Sequence, residues 1–154
     1  MGMRPGWVRA LRNRLPRILR PQGEKGTGAE LLAKSDPGNA VWQRDLSVSY
    51  SKIGDILVAQ GNLPEALKTY QAGLAIADLL AKSDPDNAGW QRDLSVSFGK
   101  LADLHKQSGD KAKARDDLRQ GQAIMARLTK LSPDNAVWKR DLAWFDRRLK
   151  ELAP

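Results

Sequence analysis

Residues 31–49 read LLAKSDPGNAVWQRDLSVS, and residues 79–97 read LLAKSDPDNAGWQRDLSVS. The two stretches agree at 17 of 19 positions, at an offset of 48. A third copy, LTKLSPDNAVWKRDLAW, covers 128–144 at the same offset, so Trp42, Trp90 and Trp138 are equivalent. Carried through the whole unit, 31–78 against 79–126, the match is 24 of 48 positions. The chain is internally duplicated, and a period of this length is the mark of stacked repeats, each too small to bury its apolar face alone.

Each unit reads as two helices. From Trp42 the large side chains fall at Leu46, Tyr50, Ile53 and Leu57, spacings of three and four that line one face of an α-helix. Asn39 is placed to cap the start, and Gly61 to end it in the left-handed conformation that only glycine adopts cheaply. A helix from about 40 to 60 would be roughly 30 Å long. The second helix follows at once. Asn62-Leu63-Pro64-Glu65 has a cap residue with Glu three positions on, and Pro64 is tolerated in the first turn. Leu63, Ala66, Leu67, Tyr70, Leu74 and Ala77 mark its apolar face, and Pro85 forces an end near Ser83. So short a link makes an antiparallel hairpin.

The next unit repeats the plan. Trp90, Leu94, Phe98 and Leu101 line its first helix, Gly109-Asp110 makes the turn, and Ala114, Leu118, Ile124 and Leu128 line the second, up to Pro133. The last copy supplies one helix, from Asn135 to about Leu152, whose Asp146, Arg147, Arg148, Lys150 and Glu151 suit a solvated cap. At the front, Ala29 to Ser35 reads as the end of a preceding second helix.

The turn residues carry a pattern. Tyr50-x-x-Ile53-Gly54-x-x-Leu57-x-x-x-Gly61-Asn62-x-x-x-Ala66-x-x-x-Tyr70 resembles the tetratricopeptide repeat, and Phe98 to Leu118 is a more degenerate version. The resemblance covers roughly 28–152 and departs in length, since the family unit usually has 34 residues. It implies an all-α chain of antiparallel helical hairpins, stacked as a short right-handed α-solenoid with longer helices. Gly54, Ala66, Ala102 and Ala114 would be the small residues that let helices approach. The expected organisation is a basic segment over 1–27 that reads as flexible, a partial unit over 28–38, full units over about 39–86 and 87–134, and a capping helix over 135–152.

The family binds partners along a concave face lined by the first helices. By resemblance that face would carry Val48, Lys52, Asp55 and Ala59, then Val96, Lys100, Asp103 and Gln107. Lys52 with Asp55, and Lys100 with Asp103, read first as local ion pairs worth about 0.2–0.5 kcal/mol each, and second as a polar ladder for a ligand. The Lys/Asn clamp by which some members hold a chaperone's terminal carboxylate is not visible. The expected partner is a protein or peptide. The alternative is a self-associating structural piece, or a fragment of a larger signalling protein.

Other chemistry finds little footing. There is no cysteine and a single histidine, His105, which excludes thiolate chemistry and a multi-histidine metal site. The repeated Trp-Gln-Arg-Asp-Leu-Ser offers Ser, Asp and Arg, but a serine nucleophile needs a base within hydrogen-bond reach. Neither catalytic residue, cofactor nor metal is expected. Of the net charge of +8, residues 1–27 hold +6, from six Arg, one Lys and one Glu. A nucleic-acid partner is therefore not indicated by the overall charge. Trp7, Leu11, Leu15 and Ile18 share a helical spacing, so residues 1–20 could touch an anionic membrane weakly. No run approaches the ~20 apolar residues of a membrane span, and arginines interrupt any secretory core. A cytoplasmic location is expected.

Overall fold

The computed structural model describes residues 28–153, and the basic segment 1–27, with the flexibility and the membrane contact through 1–20 expected of it, lies outside them. The described residues form six α-helices and no strand: α1 (Gly28–Ser35), α2 (Ala40–Ala59), α3 (Leu63–Ser83), α4 (Ala88–Gln107), α5 (Lys111–Leu131) and α6 (Ala136–Glu151).

The boundaries follow from local chemistry that recurs every 48 residues. The first turn of a helix leaves backbone N–H groups without partners. Asn39, Asn87 and Asn135 each accept one, from the backbone N–H of Trp42, Trp90 and Trp138, at 3.2, 3.1 and 3.1 Å. Both hairpin turns close on a glycine with positive φ, 75° at Gly61 and 82° at Gly109. The next residue's N–H then reaches back to the helix, Asn62 to the Leu57 carbonyl and Asp110 to the His105 carbonyl, each at 2.9 Å. Asn62 and Asp110 also cap the following helix, accepting from Glu65 N–H at 3.4 Å and Lys113 N–H at 3.0 Å.

The chain divides into two compact units between Ile76 and Ala77, within α3. Ala77 is the 48-residue equivalent of Ala29. The second unit therefore opens on the last turns of α3, ten residues ahead of Asn87. A buried glutamine accounts for this. Gln43 Nε2 donates to the Ala33 carbonyl at 3.1 Å, and Gln91 Nε2 to the Ala81 carbonyl at 2.9 Å. A buried amide is costly unless hydrogen-bonded, so this bond fastens the end of one second helix to the first helix after it.

In the first unit, Leu46, Tyr50 and Leu57 of α2 are buried with Ala66, Tyr70 and Ile76 of α3. Ser47 Oγ donates to the Gly73 carbonyl at 2.9 Å. Gly54 leaves room for the Tyr70 ring, which a Cβ there would strike. Tyr50 Oη donates to the buried Glu30 carboxylate of α1 at 3.3 Å. Burial, with the negative Glu30 alongside, pushes the Tyr50 phenol well above its ordinary range.

In the second unit the core joins Ala102, Ala114, Leu118, Met125 and Leu128 to Phe145 and Leu152. Ser95 Oγ donates to the Gly121 carbonyl at 3.2 Å, the counterpart of Ser47 to Gly73. The Phe145 ring occupies the space a Cβ on Gly121 would need. Trp144 meets it edge-on, with ring centroids 4.9 Å apart, and lies against Gly99.

Candidate partner-binding face

On α2, Val48, Lys52, Asp55 and Ala59 follow one another at spacings of four, three and four, and all four are exposed. Asp55 accepts a hydrogen bond from Tyr70 Oη at 2.6 Å. On α4, Val96 and Gln107 are exposed, whereas Lys100 and Asp103 are partly covered. α6 is the cause: Arg148 reaches Asp103 at 3.0 Å. Burial lifts the Asp103 carboxyl above the usual carboxylate range, against the opposing pull of Arg148 and Lys106.

Advancing the eight sequence-derived positions by 48 reaches three residues that the sequence reading left out. Trp144, Arg148 and Glu151 are the third members of the rows begun by Val48 and Val96, Lys52 and Lys100, and Asp55 and Asp103. The periodicity alone could have found them. Arg148 stacks over Trp144, with its guanidinium carbon 5.2 Å from the ring centroid. Glu151 pairs with Lys106 and with Arg148, each at 3.2 Å. Those two bonds hold the Glu151 carboxyl below its ordinary value. In the second unit, Arg148 of the cationic row thus pairs across to Asp103 of the acidic row, and Glu151 pairs with Lys106 of α4.

The Trp-Gln-Arg-Asp-Leu-Ser segment is spent on packing. Gln43, Gln91, Ser47 and Ser95 donate to backbone carbonyls as described, and Arg92 Nε pairs with Asp141 at 2.7 Å. His105 Nδ1 lies 2.7 Å from Asp117 Oδ2, away from both serines in sequence and in a partly buried setting. Burial raises the Asp117 carboxyl, with the His105 hydrogen bond opposing. Trp42, Trp90 and Trp138 are each half-buried, Trp138 against the second unit's core. Among the described residues no group of three His, Asp or Glu side chains could hold a metal ion, and no helix is long and apolar enough to cross a membrane.

Comparison with protein-family models, with curated proteins and with solved structures gave no match to this chain in any of the three.

Proposed function

We propose that this chain is a protein-interaction module of the tetratricopeptide kind, whose hairpins stack as a short right-handed α-solenoid and present the Val48/Val96/Trp144, Lys52/Lys100/Arg148 and Asp55/Asp103/Glu151 rows to a peptide or protein segment. The observation that carries the reading is the row itself: the same three side-chain types recur at an offset of 48 on successive first helices. Extended peptides repeat their backbone amides regularly, and a regular array of charges beside an apolar strip suits them. Solenoids use such surfaces because stacking buries the core and leaves one long face free. No cofactor enters the proposal, and the cytoplasm is the compartment it assumes.

Selection of a displayed random-peptide library on the full chain tests it. Enriched peptides should lose binding to Val48→Asp and Val96→Asp, yet bind Lys68→Glu and Gln120→Lys unchanged. Absence of enrichment, or binding indifferent to the valines, would overturn the reading.

One observation favours self-association as the second reading. Leu32 is 48% exposed on α1, whereas its equivalent Leu128 is 2% exposed. Ile56 is 57% exposed on α2, against 2% for Leu104 and 7% for Leu152. Light scattering of the full chain distinguishes the readings: a dimer dispersed by Ile56→Lys supports this one, and a monomer at all concentrations removes it.

A further inference from the structure

The terminal helix α6 sorts its charges by side. Its three acids turn toward the rest of the second unit, where Asp141 pairs with Arg92, Asp146 accepts from Gln122, and Glu151 pairs with Lys106. Four of its five cations, Lys139, Arg140, Arg147 and Lys150, are exposed, and none lies within ion-pair distance of a carboxylate among the described residues. Together with Ala143 they span about 100° of the helix circumference.

The equivalent face of α4 shows what such a face receives. There the positions are Gln91, Arg92, Ser95, Gly99 and Ala102. Three helices cover them: Gln91 bonds to Ala81 of α3, Ser95 to Gly121 of α5, while Arg92 bonds to Asp141 and Gly99 abuts Trp144 on α6. On α6 the same positions have become Lys139, Arg140, Ala143, Arg147 and Lys150. A cap needs only polarity to stay solvated, and mixed signs would serve. A uniform sign produces a field that attracts one kind of partner. Arg140 also occupies the place of Arg92, whose partner is Asp141 on the following first helix, α6.

We propose that the outer face of α6 is a docking surface for an acidic helical segment of a partner protein, lying where a following helix would lie and setting a carboxylate against Arg140 as Asp141 is set against Arg92. A helix is the favoured occupant because helices fill the corresponding face of α4. An acidic one is favoured because Lys139, Arg140, Arg147 and Lys150 replace neutral or already paired groups. A second copy of this chain is disfavoured, since its bare Leu32 and Ile56 would meet four cations. The site is separate from the proposed peptide-binding rows.

The test uses the full chain and two labelled peptides of about 20 residues, long enough to hold a helix in isolation. One carries glutamates along a single face of an alanine-rich helix. The other has the same composition with the glutamates spread around the helix. Anisotropy titration at about 0.1 M salt should show the patterned peptide binding about tenfold more tightly than the scattered one. Lys139→Glu/Arg140→Glu/Arg147→Glu/Lys150→Glu should abolish that preference, whereas Lys139→Arg/Lys150→Arg should keep it. Circular dichroism confirms the helical content of each variant, which exposed substitutions leave intact. Equal binding of the two peptides, or binding unchanged by charge reversal, would overturn the proposal. So would tighter binding of duplex DNA or phosphatidylserine vesicles through these same residues, or light scattering that shows a second copy covering them.

Discussion

Asn87 shows how one side chain is tied to stability. Its oxygen accepts the Trp90 backbone N–H at 3.1 Å at the head of α4. Asn87→Ala should cost about 1 kcal/mol in urea unfolding, with an unchanged m-value. Asp110 caps α5 with a charge, and the Lys113 backbone N–H holds its carboxyl below the usual range. A lowered carboxylate pKa stabilises the fold above the ordinary value, and the benefit is lost as pH falls through the lowered one. Asp103 and Asp117, raised by burial, act in the opposite direction. Asp110→Asn retains the acceptor, as Asn62 does in the sister turn. It should therefore match the wild type near neutrality and lose less stability between about pH 5 and pH 2, read as Tm across that range.

Between helices, the same close approach is solved in two ways. The first unit uses Gly54 beneath the Tyr70 ring, and the second uses Ala102 with Leu118 at the equivalent places. Gly54→Ala drives a methyl into the ring and should cost about 1–3 kcal/mol. Gly54→Ala/Tyr70→Leu recreates the sister pair and should recover part of that loss, a coupling that a double-mutant cycle measures. Removing Gln91 leaves the Ala81 carbonyl buried without its donor, and Gln91→Ala should cost about 1–3 kcal/mol by denaturant titration. Helix spans and caps were legible because apolar spacing, Asn caps and turn glycines are local signals. The role of Gln43 and Gln91 was not, because their acceptors lie ten residues back and nothing in a glutamine says where its amide points. Likewise Asp103 read as a partner for Lys100, three residues away, and its pairing with Arg148 at 3.0 Å appears only once α6 is in place. The third row, Trp144 to Glu151, was legible from the repeat but went unread because those charges also suit a solvated end.

For the whole chain, α6 is anchored as a lid on the second unit. Phe145 is 3% exposed and lies over Gly121. Phe145→Ala should cost about 3–5 kcal/mol and lower Tm accordingly, because the vacated space over a glycine cannot be refilled by neighbouring side chains. A loss confined to a few tenths of a kcal/mol would show that α6 is not integral to the folded second unit. The packing boundary falls at Ala77, inside α3 and ten residues ahead of Asn87, so the fastening bond from Gln91 to the Ala81 carbonyl lies within one packing unit. Because the bonds from Gln43 to Ala33 and from Gln91 to Ala81 recur at the 48-residue offset, misaligned recombination between copies would add or delete 48 residues wherever the crossover fell. Every fastening glutamine in the product would still find its carbonyl ten residues upstream, so the gene could lengthen or shorten its protein without first inventing a new junction.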